Sequence, residues 1–220
     1  MSGDAAVPEL KKRRTRIDPE LRRKAIIEAT MQCITQYGHS GCTLERICAQ
    51  AGISIGLIGH HFSSKEELML STYQALTDQL REETRKYLAN QNGSSEDRLL
   101  AIIRSSFRGQ IFNEFILTTW LGFWGAAVSS EQLRALNKKL YADYRKELEA
   151  VFNDIARENG THIDAKSAAL TITALIDGFW LEWALDHKAF SSKKAEKCCI
   201  TTAQMFVKAA QPLTAMPPTS

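Results

Sequence analysis

Proline is almost missing from this chain where it would matter. The five prolines are Pro8, Pro19, Pro212, Pro217 and Pro218, so no helix breaker stands between Pro19 and Pro212. No stretch of strict apolar–polar alternation competes for that interval, which excludes a core built on sheets. Cysteine gives no disulfide framework either, because five is an odd number and Cys198 and Cys199 are adjacent. A metal site from Cys33, His39, Cys42 and Cys48 lacks any C-x-x-C pair, and small buried thiols are the simpler reading. No metal or other cofactor is expected. The longest uncharged apolar run, Phe115 to Ser130, falls short of the roughly 20 residues a membrane-spanning helix needs, and no secretory signal opens the chain. The expectation is a soluble, cytoplasmic protein without a membrane partner. Catalytic patterns are missing too: there is no Ser-His-Asp elbow, paired-metal spacing or phosphate loop, so the chain is not expected to be an enzyme.

What is present is helical. Apolar residues recur at three and four, as in Ile26, Ile27, Thr30, Ile34 and Tyr37, or Leu133, Leu136, Leu140 and Tyr144. Gly, Ser and Asn cluster at 37–41, 90–95, 128–130 and 158–162, dividing the chain into about nine helices. Capping spacing supports the starts: Asp18 before Pro19, Ser64 before Glu67, and Ser129 before Gln132. Charge is uneven. Residues 1–65 carry ten Lys and Arg against six Asp and Glu, whereas residues 66–220 carry eighteen against nineteen. A basic first segment on a nearly neutral body suggests contact with a polyanion at one end.

Within that basic segment, residues 43–62 read TLERICAQAGISIGLIGHHF, the pattern of a helix-turn-helix. Gly52 supplies the turn, and Ile47, Cys48, Ala51, Ile53 and Ile58 fall at inward positions. Ser54 precedes a helix of about two turns, with Ile55 and Ile58 on its buried side. Gly56, Gly59 and His60 would face outward, small or polar enough for close approach to a major groove.

Residues 24–70 resemble the N-terminal domain of the TetR family of transcriptional regulators. The resemblance is carried by Ile27, Ala29, Tyr37, Gly38, Thr43, Ile47, Ala51, Gly52, Ile53, Ser54, Gly56, Ile58, His61, Phe62, Lys65, Glu67 and Leu68. It implies an all-α homodimer: a three-helix helix-turn-helix domain that binds a double-stranded DNA operator, and a C-terminal helical bundle for ligand binding and dimerisation. The expected organisation is a disordered basic arm over 1–16, the DNA-binding domain over 17–64, the bundle over 65–210 and a disordered tail over 211–220. Carried over by position, Thr43, Ser54, Gly56, Gly59, His60, His61 and Lys65 form the DNA-facing set, with Thr43 and Lys65 on phosphates. Gly59 stands where many members have tyrosine. Indirect readout, or minor-groove contacts from Arg13, Arg14 and Arg16, is expected to carry more of the specificity in compensation.

All four tryptophans lie in WLGFW (120–124) and FWLEW (179–183). Trp120 and Trp124 are four apart, and Trp180 and Trp183 three apart, so each pair shares a helix face. Facing ridges of this kind, with Phe123, could wall a cavity for a quaternary ammonium, or could pack a core or a dimer interface. Asp177 could neutralise such a cation. Gly122, Gly125 and Gly178 fit either a cavity or a close helix crossing. Residues 117–127 and 174–185 add a narrower resemblance, to family members that repress choline uptake and oxidation genes. It implies a repressor released by choline; a regulator sensing a drug, lipid or polyamine is the alternative.

Overall fold

The first described helix starts where its chemistry says it should. In a computed structural model that describes residues 18–89 and 93–212, α1 (Pro19–Gly41) has Pro19 in its first turn and Asp18 accepting the Glu20 backbone N–H at 2.9 Å. Near its end, Gly38 leaves the helix (φ 68, ψ 169), a backbone region open chiefly to glycine, and kinks the chain. Two short helices follow, α2 (Leu44–Ala51) and α3 (Ile55–His61), and then the long α4 (Lys65–Ala89). The remainder is α5 (Ser95–Ser105), α6 (Glu114–Ser129), α7 (Glu131–Asn159), α8 (Ala165–Leu185) and α9 (Ser192–Lys208). The described residues thus form nine helices, as their periodicity predicts.

Two details differ from expectation. The cap of α7 is Ser130, which accepts the Leu133 N–H at 3.3 Å, and not Ser129. The segment expected to be a tail from residue 211 begins with Gln211–Pro212, paired antiparallel with Thr161–His162. Two-residue strands carry no periodic signal, so neither was legible. The basic arm, including Arg13, Arg14 and Arg16, lies outside the described residues.

Three-helix unit and bundle are not separated by a gap. α1 packs along α6, and the crossing is so close that a Cβ on Gly122 would lie 2.6 Å from Cγ2 of Ile34. Gly122 is therefore a crossing residue. Across the same seam the hydroxyls of Thr35 and Thr119 are 2.8 Å apart. One continuous apolar core runs from Ile26 and Ile47 at one end to Phe152 and Ala203 at the other. α8 has the length and composition of a membrane-crossing helix, but it carries Asp177 and Glu182, and it packs on α7 and α9.

Candidate DNA-binding and ligand sites

At the DNA-facing end, local rules place most of the side chains. Thr43 is the N-cap of α2, its Oγ1 accepting the Arg46 N–H at 3.4 Å. Gly52 takes the left-handed conformation (φ 63, ψ 40) that reverses the chain, and the Ile53 N–H donates to the Cys48 carbonyl at 3.0 Å. Ser54 sits at the N-cap position of α3 but makes no side-chain cap bond. With Gly56, Gly59 and His60 it forms an exposed surface, and a Cβ at either glycine would meet nothing within 4 Å. His61 and Lys65 are half-buried at its edge.

Ile55 corrects the sequence reading. It is 49% exposed, whereas Ile58, at 3%, alone fills the buried side expected of both. Positions 55 and 59 share a face, so Ile55 joins the outward surface, and an apolar side chain there suits the methyl group of thymine. Arg23 fixes this unit to α4. Its guanidinium donates to the His61 carbonyl at 2.8 Å and to Ser71 Oγ at 2.9 Å, and stacks 4.2 Å from the Phe62 ring.

The tryptophans divide. The two ridges do face each other, but Trp120 and Trp180 meet edge to face at 5.9 Å, both nearly buried, leaving no hollow between them. Trp180 donates its indole N–H to the Ser106 carbonyl at 3.1 Å. Trp183 packs on Phe112 (4.7 Å) and His187 (4.2 Å). Phe123 is fully buried and stacks on Tyr73 at 4.6 Å with the planes 10° apart. None of Trp120, Phe123, Trp180 and Trp183 lines the pocket described next.

The hollow lies beside the ridges. A pocket of about 780 Å³ is lined by Trp124, Asn137, Tyr141 and Asp177, with Arg134, Lys138 and Arg145 towards solvent. The Tyr141 ring centre is 6.4 Å from that of Trp124 and also 6.4 Å from that of Trp120. Buried at this junction, the Tyr141 hydroxyl lies close to the Trp120 indole nitrogen and to Asp177, but neither the hydroxyl nor the indole nitrogen makes a well-aligned hydrogen bond, an arrangement that favours a polar guest. Burial pushes the Asp177 carboxyl up to about 7, against the pull of the nearby Tyr141 hydroxyl and the Arg145 charge. Burial also raises Tyr141, helped by Asp177. Sequence reasoning missed Tyr141, Asn137 and Arg145. The recurrence of polar and aromatic residues at 134, 138, 141 and 145 on one side of α7 was the available signal.

Tyr73 joins the two ends. Fully buried on α4, it donates its hydroxyl to Asn137 Oδ1 at 2.5 Å and meets Trp120 edge-on at 5.5 Å, besides stacking on Phe123. Phe123 in turn lies 6.2 Å from the His39 ring at the end of α1. Burial and the positive charge of Lys65 both lower the His39 pKa. Pocket wall, long helix and the last turn of α1 are thus in one chain of contacts.

Comparison with known proteins agrees with this architecture. Residues 26–72 match the model of bacterial regulatory proteins of the tetR family, and residues 95–207 match that of the C-terminal part of BetI-type transcriptional repressors. The HTH-type transcriptional regulator BetI of Escherichia coli O157:H7 is 33% identical over 169 residues, which span 76% of this chain and 85% of that one. Among solved structures, a transcriptional regulator from Pseudomonas aeruginosa PAO1 superposes with a TM-score of 0.81 at 33% identity, covering 91% of this chain and 97% of the other. A transcriptional regulator from Saccharomonospora viridis, solved in complex with choline, shares the fold with a TM-score of 0.73 at 18% identity, covering 86% and 97%. A helix-turn-helix carried on a helical bundle of this kind defines a DNA-binding transcription regulator. The chain belongs to the TetR family, with the C-terminal half of a BetI-type repressor.

Proposed function

We propose that this repressor works as a homodimer, holds its operator through Thr43, Ser54, Gly56, Gly59, His60, His61 and Lys65, and lets go when choline or a related quaternary ammonium enters the pocket beside Trp124. The observation that carries the ligand is the grouping of Asp177 with the Tyr141 and Trp124 rings around that pocket. Ring faces attract a cation that cannot donate hydrogen bonds, each by about 0.5–2 kcal/mol, and a carboxylate adds a counter-charge. The choline bound to the regulator from Saccharomonospora viridis supports the same class of ligand.

Support for the dimer comes from α8. Leu170, Ala174, Gly178, Leu181 and Leu185 recur at four, four, three and four and are all exposed, an apolar stripe with small residues in its middle. Such a stripe suits a close crossing with a second copy. Two subunits would then present two α3 helices to half-sites about one helical turn apart.

Tyr73 gives the trigger a route. A guest that moves Asn137 or Trp120 loads the Tyr73 ring, hence α4, and α4 begins at Lys65. Release requires the ligand to bind the DNA-incompetent state more tightly, since equal affinity for both states shifts nothing. A gel shift on the DNA upstream of the protein's own gene tests the proposal. Full-length protein retards the fragment, and choline removes the retardation. Retardation untouched by choline, betaine aldehyde or glycine betaine at millimolar concentration would sink the ligand class.

A further inference from the structure

We infer that the pocket beside Trp124 prefers a small zwitterion, in which a quaternary ammonium is joined to an anionic group, over a simple cation. The inference rests on the quaternary-ammonium reading and narrows it. The charge of the walls carries it. Lys138, Tyr141 and Arg145 recur at three and four along α7, share one side of it, and all line the pocket. Asp177 is the only carboxylate in that lining. Among the described residues neither Lys138 nor Arg145 is in an ion pair. A third cation, Arg134, donates to the Ala127 and Val128 carbonyls at the end of α6, where helix carbonyls offset its charge.

With Asp177 ionised, two positive charges therefore face one negative charge: Arg145 already acts on Asp177 and lies over the Tyr141 ring, which leaves Lys138 without an opposite charge in the lining. A monocation adds a further charge of the majority sign, whereas a neutral zwitterion brings one charge for each. The spacing suits this division. The Arg145 guanidinium carbon is 5.7 Å from the centre of the Tyr141 ring, and that ring is 6.4 Å from Trp124. With the guanidinium over the Tyr141 ring, an ammonium held against Trp124 would lie one short spacer from the fork that would hold a carboxylate or phosphate bidentately. The plain alternative is that Lys138 and Arg145 belong to a solvated helix face without a role in ligand choice.

Calorimetry on the full-length protein distinguishes these, with glycine betaine, its uncharged-end methyl ester, phosphocholine and choline as probes. Glycine betaine or phosphocholine is expected to bind at least tenfold tighter than both the ester and choline. In a K138Q/R145Q variant that melts like the parent, the preference disappears while choline binds as well or better. Choline or the ester binding the wild type as tightly as the zwitterions overturns the inference and leaves the quaternary-ammonium reading standing. A preference that survives the double substitution also overturns it. If none of the four binds, both readings fall. Should the variant not fold, the wild-type ranking of glycine betaine against its ester decides alone.

Discussion

The two ends of this molecule are built on opposite principles. The exposed surface of α3, proposed to face DNA, is opened by leaving side chains out: at Gly56 and Gly59 the backbone itself is bare, and a Cβ there would touch nothing. The pocket end is made by putting large rings in, with Trp120, Trp124 and Tyr141 meeting within 6.4 Å. A partner of fixed and known shape, such as a groove, is met by withdrawing bulk. A small guest that must be told from its neighbours is met by surrounding it. Between them lies a third kind of packing, Tyr73 on Phe123, which belongs to neither surface and reaches Asn137 of the pocket wall on one side and His39 near the end of α1 on the other.

That contrast can be broken most severely at the join. Phe123→Ala removes a fully buried ring from between Tyr73 and His39. It is expected to cost about 3–5 kcal/mol of stability, read as a lowered urea midpoint. An unchanged midpoint would mean that the join is not a structural keystone. At the DNA end, Gly56→Asp meets no steric obstacle but sets a negative charge against phosphates. Operator affinity is expected to fall about a hundredfold, or roughly 2.7 kcal/mol, with ligand affinity intact; loss of both would deny that the ends are separable. At the pocket, Trp124→Ala removes one ring face, so quaternary-ammonium affinity drops by about tenfold while operator binding without ligand stays as it was.

Smaller effects sharpen the same line. Thr43→Ala deletes the cap on α2 and is expected to lower stability by about 1 kcal/mol, and operator affinity by more than that lost cap explains if Thr43 also holds a phosphate. The last test is pH. Because the folded-state carboxyl of Asp177 is raised to about 7, its contribution favours the fold at acid pH and is lost as pH climbs from the ordinary carboxylate range through about 7. Tetramethylammonium restores that loss by pairing with the ionised form. It should therefore raise the melting temperature more at pH 8 than at pH 5.5, and an equal rise at both would remove Asp177 from the site.

Much of the helical framework was legible because its signals are local. Asp18 before Pro19, Ser64 before Glu67 and Gly52 between two short helices each act within a few residues, and the structure places them as the spacing predicts. Faces were harder. Spacing told that Trp180 and Trp183 project together but not towards what, and the answer, Phe112, Ser106 and His187, is set by elements distant in sequence or by a turn. Ile55 failed for the related reason that a helix of two turns has too little periodicity to fix its inner side. Tyr141 and Asn137 stood among ordinary surface-helix residues, and only the fold brings them opposite Asp177.

The Arg23 bridge has one more consequence. Since a single guanidinium grips the last carbonyl of α3, the Phe62 ring and the Ser71 hydroxyl at once, the reading head and the root of its lever are welded. On the proposed mechanism, an effector that pushes on the lever would swing the head as a rigid wedge. A dimer would then lose its footing on DNA through misalignment of two intact heads, with no unfolding required, and regain it as soon as the guest departs.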